Sequence, residues 1–104
     1  MSGFDVKPVE DCFDGSSIYE YSVKGTIGKE LILFLGSLGA LDYFPEFPRP
    51  FFRVRIDNGS EIKGVFGETR FRITYSTGSK EEFKVFFEKL YADEIWNSKI
   101  NTGE

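Results

Sequence analysis

The residues best suited to chemistry in this chain are five cations in three short segments: two at alternate positions in each of the first and third segments and one in the second. They are Arg53, Arg55, Lys63, Arg70 and Arg72. Residues two apart lie on the same face of a β-strand, so each segment would present its cations on one side. Arginine and lysine bind carboxylates and phosphates. The pattern predicts a basic surface that binds anionic groups.

The alternation of apolar residues sets the register of these segments. Asp57-Asn58-Gly59 is a turn signal between the first two segments. A three-residue loop with a left-handed Gly59 places Val54 opposite Ile62 on one apolar face, whereas a two-residue loop mixes the faces. The sequence therefore predicts an antiparallel meander of three strands, at 51–56, 60–66 and 69–75.

The second turn of the meander needs an even number of loop residues. Gly67-Glu68 supplies them, with glycine at the first central position. This register places Ile73 opposite Ile62 and Phe71 opposite Gly64. An aromatic side chain over a strand glycine compensates for the missing side chain.

The outer face of this meander is unusual, because Arg53, Lys63 and Arg72 fall in one row across all three strands. Like charges directly opposite each other are destabilising. The row is either neutralised within the chain or left for an acidic partner. We take the candidate binding residues to be Phe51, Arg53, Arg55, Lys63, Val65, Arg70 and Arg72.

Composition excludes several classes of chemistry. The chain has no histidine, one cysteine (Cys12) and a net charge of −4. Histidine-dependent catalysis and an internal disulfide are excluded, and a zinc site built from Cys and His ligands is not expected. The acidic net charge argues against nucleic acid as a partner. We expect no cofactor, no membrane span, a cytoplasmic location and, on balance, no enzymatic activity.

Three further segments complete the predicted fold. Alternation over 18–27 predicts a strand, whose Glu20 is a candidate counter-charge for the basic row. Leucines at helical spacing over 29–41 favour a helix, although a buried strand remains an alternative. Segment 79–91 predicts a helix that begins with a Ser79–Glu82 capping box. Its apolar face would comprise Phe83, Phe86, Phe87, Leu90 and Tyr91.

The proline-rich segment 42–52 has two interpretations. Its aromatic residues either cap the core from a connecting loop or form an exposed aromatic lip of Tyr43, Phe44 and Phe47. Aromatic residues are frequent anchors of protein interfaces, which gives the second interpretation its interest.

The predicted fold class is α+β, with an antiparallel sheet of four to five strands in the order (β)βαβββα. Both helices pack on one face and the basic face is open. Residues 1–104 are expected to form a single domain, with a weakly structured segment 1–16 and a partly frayed tail 93–104. Phe4 and Val6 would supply the optional strand, as an edge strand before Pro8.

The predicted function is a non-catalytic interaction module that binds an acidic protein partner through its open basic face. The alternative is a binder of a small anionic ligand or single-stranded nucleic acid on the same face. Among the meander's aromatic residues only Phe51 points outward, which disfavours the base stacking that single-stranded nucleic acid uses.

Overall fold

A computed structural model describes residues 4–11, 15–76 and 80–96 of the chain. Its elements are β1 (Val6–Asp11), β2 (Ser17–Ser22), α1 (Lys29–Gly36), β3 (Ala40–Phe44), β4 (Phe51–Arg55), β5 (Glu61–Val65), β6 (Arg70–Tyr75), α2 (Lys80–Tyr91) and a π-helical turn (Ala92–Trp96).

The strands form one antiparallel sheet in the order β1-β2-β6-β5-β4-β3. The predicted α+β class is confirmed, but the sheet has six strands rather than four or five. The additional strand is β3, which pairs with β4 from Ala40 opposite Arg55 to Phe44 opposite Phe51.

The register predicted for the meander is confirmed at the first turn. Val54 lies opposite Ile62 and Arg55 lies opposite Glu61. The Ile56 amide donates to the Ser60 carbonyl at 2.9 Å, which closes the three-residue loop. Gly59 has a φ of 95°, a backbone conformation that glycine adopts without steric penalty.

The second turn also has the predicted register, with Ile62 opposite Ile73 and Gly64 opposite Phe71. The aromatic ring nearest to Gly64 is that of Phe52, however. A Cβ on Gly64 would come within 2.7 Å of a ring carbon of Phe52 and 3.1 Å of the Phe71 Cβ. Two phenylalanines from the neighbouring strands therefore cover this glycine.

The segment predicted as one helix over 29–41 divides into two elements. Helix α1 covers its first part, with Leu31, Ile32 and Leu35 buried, and ends at Gly36. The chain then reverses and begins β3 at Ala40. The reversal requires glycine, because a Cβ on Gly39 would overlap the carbonyl oxygen of Arg55.

The predicted second helix is present as α2 and ends at Tyr91, whereas Ser79 lies outside the described residues. Phe87 and Tyr91 are fully buried, but Phe86 is 54% exposed, so its prediction as a core residue was wrong. Lys84 lies 4.7 Å from the centre of the Tyr19 ring. Positions 84, 87, 88 and 91 thus contact the rest of the fold, and Phe86 lies outside this stripe.

Both helices pack on the same face of the sheet and share one core. Phe87 and Tyr91 of α2 contact Phe71 of β6 edge-on, at ring distances of 6.2 and 5.5 Å. Helix α1 lies over β3 and β4. The opposite face, which carries the predicted basic row, has no helix on it in the described part of the chain.

A hydrogen-bonded polar path runs through this core. The Tyr21 hydroxyl donates to Glu88 Oε2 at 2.8 Å and is paired with the Tyr75 hydroxyl at 2.5 Å. The Tyr91 hydroxyl donates to the Ser22 carbonyl at 2.8 Å. Burial raises the pKa of Tyr21 and of Tyr75 far above the ordinary phenol value and that of Tyr91 to about 12.

Strand β1 is longer than the short strand expected before Pro8. It continues through Pro8 to Asp11, with a bulge between Pro8 and Glu10. Cys12 lies outside the described residues. None of the helices in the described ranges is long and apolar enough to cross a membrane.

Candidate functional site: the open face of the sheet

The predicted basic row exists and extends across the whole sheet. Arg53, Lys63 and Arg72 lie directly opposite one another on β4, β5 and β6. On one side the row continues to Glu20 and Lys7, and on the other to Asp42. The three adjacent cations are therefore flanked by a carboxylate at each end.

The end of the row at β2 is an ordinary charge network. Arg72 Nε lies 3.5 Å from Glu20 Oε2, and Lys7 Nζ lies 3.7 Å from Glu20 Oε1. Glu20 occupies the counter-charge position that the sequence predicted. Arg70 lies opposite Ser22 at the end of β2 and is exposed.

The end of the row at β3 has an acidic residue that the sequence analysis missed. Asp42 Oδ2 lies 3.0 Å from Arg53 and 3.3 Å from Arg55. Glu61 lies within 3.7 Å of both Arg53 and Lys63. Asp42 was missed because its segment was interpreted as the end of a helix and a loop. The alternation of Ala40 and Asp42 with the larger residues Leu41 and Tyr43 was the available signal.

These carboxylates neutralise the cations of the basic row. Arg53, Lys63 and Arg72 each have an acidic side chain within 4 Å, so their mutual repulsion is relieved within the chain. Exposed ion pairs contribute only about 0–1 kcal/mol each, so the network explains how the fold tolerates the row. It gives no reason to regard the whole row as a binding site.

The predicted aromatic lip is partly formed, and it joins the open face. Phe44 lies opposite Phe51, and their rings stack at 4.7 Å. Phe47 folds over both rings, at 6.2 Å from Phe44 and 5.1 Å from Phe51. Tyr43 is not part of this cluster, because it lies opposite Phe52 on the face that the helices cover.

The phenylalanine cluster adjoins the basic row. A cavity of about 240 Å³ opens between them, lined by Phe44, Phe51, Phe52, Arg53 and Lys63. Arg53 Nε is buried and makes no hydrogen bond to the described residues; the acidic atom near it is Glu61 Oε2, at 3.7 Å. Of the other predicted site residues, Val65 lies opposite Phe51 beside this cavity and Arg55 is held by Asp42.

The loop that carries Phe47 is held in place at its far end. Arg49 forms an ion pair with Glu68 of the β5–β6 turn. The Phe66 amide donates to the Pro50 carbonyl at 2.8 Å. Three prolines, at positions 45, 48 and 50, further restrict this loop. The surface around Phe47 is therefore largely preformed.

The open face brings cationic and aromatic side chains together. Within the described residues, no group of three His, Cys, Asp or Glu side chains could hold a metal ion. No family model, curated protein or solved structure matches this chain.

Proposed function

We propose that this protein is a non-catalytic interaction module that binds an acidic protein partner on the open face of its sheet. The binding surface would be one corner of that face, formed by Phe44, Phe47, Phe51, Arg53 and Lys63, which we call the phenylalanine corner. The rest of the basic row would support the corner through its ion pairs.

The observation that carries the proposal is the position of three phenylalanines in ring contact with one another outside the core. Phe47 is 48% exposed, and Phe44 and Phe51 are half-buried. Exposed apolar clusters rimmed by polar residues are typical of interaction sites. Aromatic residues and arginine are also the commonest anchors at protein interfaces.

The charges of the phenylalanine corner indicate which partner it would bind. The corner exposes cations on one side of its cavity, with Lys63 63% and Arg53 41% exposed in their side chains. A segment with an apolar residue beside a carboxylate could fill the cavity and place its negative charge beside Lys63 and Arg53. Such complementary charge mainly adds specificity and speed of association.

A small anionic ligand or single-stranded nucleic acid is the second candidate, favoured by the aromatic rings beside cations. Beside Phe51, the open face also carries Phe44 and Phe47, from the preceding strand and loop. Binding of single strands uses free ring faces on which successive bases stack. Here Phe44 and Phe51 stack on each other, which supports a protein partner better.

We further propose that the module acts in the cytoplasm. Its single cysteine cannot form an internal disulfide, and disulfides are a feature of proteins in oxidising compartments.

The test is a titration of labelled protein followed by amide NMR. The probes are a short peptide that alternates phenylalanine with aspartate, a deoxythymidine oligonucleotide and inorganic phosphate. We expect the peptide to shift the amides of 44–53 and 63–65, with binding that weakens as salt is added. Shifts from the oligonucleotide or phosphate alone would favour the second candidate.

Two variants make the test specific. Phe47→Ala should weaken peptide binding about tenfold, as loss of an interface anchor does. Phe86→Ala is the matched control, because Phe86 is similarly exposed, at 54%, but lies on α2 beyond the other face. Equal affinity of wild-type protein and Phe47→Ala would refute the phenylalanine corner.

A further inference from the structure

The two edges of the sheet differ in their capacity to accept another strand. Strands β1 and β3 are the edge strands. An edge strand presents unpaired backbone N–H and C=O groups that can pair with another chain, and natural proteins usually obstruct them. The two edges can be compared group by group, because the register fixes which groups point outward.

On β3 the outward groups belong to Leu41 and Tyr43. The Ile56 and Phe66 amides donate to Ser60 and Pro50, so the even-numbered residues of β4 direct their backbone groups toward β5. Backbone groups alternate in direction along a strand, so Arg53 and its odd-numbered neighbours face β3. The partners of those residues on β3 are Ala40, Asp42 and Phe44. The amides and carbonyls of Leu41 and Tyr43 therefore point away from the sheet.

On β1 the same argument gives an obstructed edge. The Ser22 amide donates to the Asp5 carbonyl, so Asp5 and Lys7 face β2 and Val6 and Pro8 point outward. Pro8 has no N–H to offer, and a bulge follows it directly. Strand β3 contains neither a proline nor a bulge. Of the two edges, only β3 presents an uninterrupted pair of donors and acceptors.

We propose that β3 accepts an extended segment of the acidic partner as a seventh, antiparallel strand. The inference rests on the proposed function, because that strand would run directly beside the phenylalanine corner. Phe44 belongs to both surfaces. Backbone hydrogen bonds to Leu41 and Tyr43 would supply the strand's general affinity, and side-chain contacts would supply its specificity.

The residues of β3 define what the incoming strand should carry. Opposite Phe44, an apolar side chain would extend the phenylalanine cluster. Opposite Leu41 and Tyr43, apolar side chains would cover the margin of the core, where Tyr43 is now 37% exposed. Opposite Ala40, an acidic side chain could reach across the small methyl group to Arg55, which lies two strands or about 10 Å away.

A second copy of this chain fits the edge poorly. Full use of Leu41 and Tyr43 in a symmetric pair would place Asp42 of one copy directly opposite Asp42 of the other, a destabilising arrangement. The neighbouring registers are limited as well. The Gly39 amide already donates to the Gly36 carbonyl, and Pro45 has no N–H.

The test uses a capped peptide with the core sequence Phe-Val-Thr-Val-Glu, which places phenylalanine opposite Phe44 and glutamate opposite Ala40 in the antiparallel register. A peptide of the same composition with phenylalanine and glutamate exchanged is its control. We expect millimolar peptide to slow amide hydrogen exchange at Leu41 and Tyr43, and the control peptide to do so less.

A pair of variants isolates the backbone hydrogen bond that the N–H of residue 43 would donate to the peptide. Tyr43→Pro removes the outward N–H but no bond to β4, and Tyr43→Ala removes the same side chain while keeping the N–H. We expect the peptide to bind Tyr43→Pro about tenfold more weakly than Tyr43→Ala, through loss of one hydrogen bond. Unfolding of both variants in urea identifies any difference that reflects stability alone.

The outcomes separate this inference from the proposed function. Binding that is weakened by Phe47→Ala, but equal in Tyr43→Pro and Tyr43→Ala, would overturn strand addition and leave the phenylalanine corner standing. Protection of Leu41 and Tyr43 that Phe47→Ala does not affect would support strand addition and refute the corner. Protection without peptide, together with a dimer in solution, would show that a second copy occupies the edge. Absence of protection at millimolar peptide would overturn the inference.

Discussion

Two aromatic clusters lie on opposite faces of the same sheet, and they differ in what surrounds their rings. The inner cluster stacks Phe87 on Tyr91 at 5.5 Å, and the outer cluster stacks Phe44 on Phe51 at 4.7 Å. The ring geometries are similar. The inner rings are fully buried between α2 and the sheet, whereas Phe47 of the outer cluster is half exposed. Ring packing alone therefore does not identify a core. Because the two clusters differ in burial, mutations in them should differ in their effect on stability.

The inner cluster should show the largest effect on stability. Phe87 is fully buried against Tyr21 and Phe71. We expect Phe87→Ala to lower the free energy of unfolding by about 3–5 kcal/mol, through lost burial and a residual cavity. Urea denaturation measures this change. A loss under about 1 kcal/mol, the range of ordinary surface substitutions, would contradict the assignment of this face as core.

The inner cluster should also make stability sensitive to alkali, whereas the outer cluster has no titratable ring. Burial raises the pKa of Tyr91 to about 12 and those of Tyr21 and Tyr75 further. A phenol whose pKa is raised in the folded state holds its proton more tightly than in the unfolded chain. The free energy of unfolding should thus be unaffected below about pH 10 and fall as the pH rises beyond it.

Urea denaturation between pH 8 and 12, together with phenolate absorbance, would measure this effect. Tyr91→Phe should reduce the slope of stability against pH above about 10, since one fewer phenol then titrates differently in the two states. Tyr43→Phe is the control, because Tyr43 is 37% exposed. An identical slope of stability against pH in Tyr91→Phe and Tyr43→Phe would show that the buried Tyr91 phenol does not cause the loss of stability in alkali.

The ion pairs of the open face should contribute less than either core effect. Arg72→Glu would replace the Arg72–Glu20 pair by two carboxylates while placing an opposite charge beside Lys63. We expect a net loss of about 0–1 kcal/mol in thermal or urea denaturation, reduced further by salt. A gain in stability would show that repulsion in the basic row outweighs the pair with Glu20.

The outer cluster should show the smallest effect on stability of all. Because Phe47 is half exposed and lies in a loop, we expect Phe47→Ala to change the free energy of unfolding by about 0.5 kcal/mol or less. The same variant should lose partner binding, which is the contrast with Phe87→Ala. A loss of several kcal/mol would identify the outer cluster as a second structural core.

The register of the meander was predictable because side-chain alternation decides whether each turn has an odd or an even number of loop residues. A shift of one residue would have turned Ile62 and Ile73 outward, so the apolar pattern left one solution. The basic row followed directly from that register, and so did the position of Glu20 once β2 was placed beside β6.

Strand β3 was not predictable on the same grounds. Leu41 continues the helical spacing of Leu31, Leu35 and Leu38, so the pattern favoured one long helix. The helix instead ends at Gly36, and Gly39 then lies close to the backbone of Arg55, a tertiary contact that spacing does not encode. Asp42 and the outward position of Phe44 depend on β3, so the helical spacing did not lead to the acidic flank or to the place of Phe44 beside Phe51.

The pairing of β2 with β6 has a consequence for the order in which the chain folds. It brings Tyr21 beside Tyr75, 54 residues later, whereas the pairs β3–β4, β4–β5 and β5–β6 each join strands that are neighbours in sequence. The entropy of closing so large a loop favours forming the local hairpins first. We expect mutations at Val54 and Ile62 to slow refolding and mutations at Tyr21 mainly to speed unfolding. The pairing of β2 with β6 would then be the last part of the sheet to form during folding and the first to be lost during unfolding.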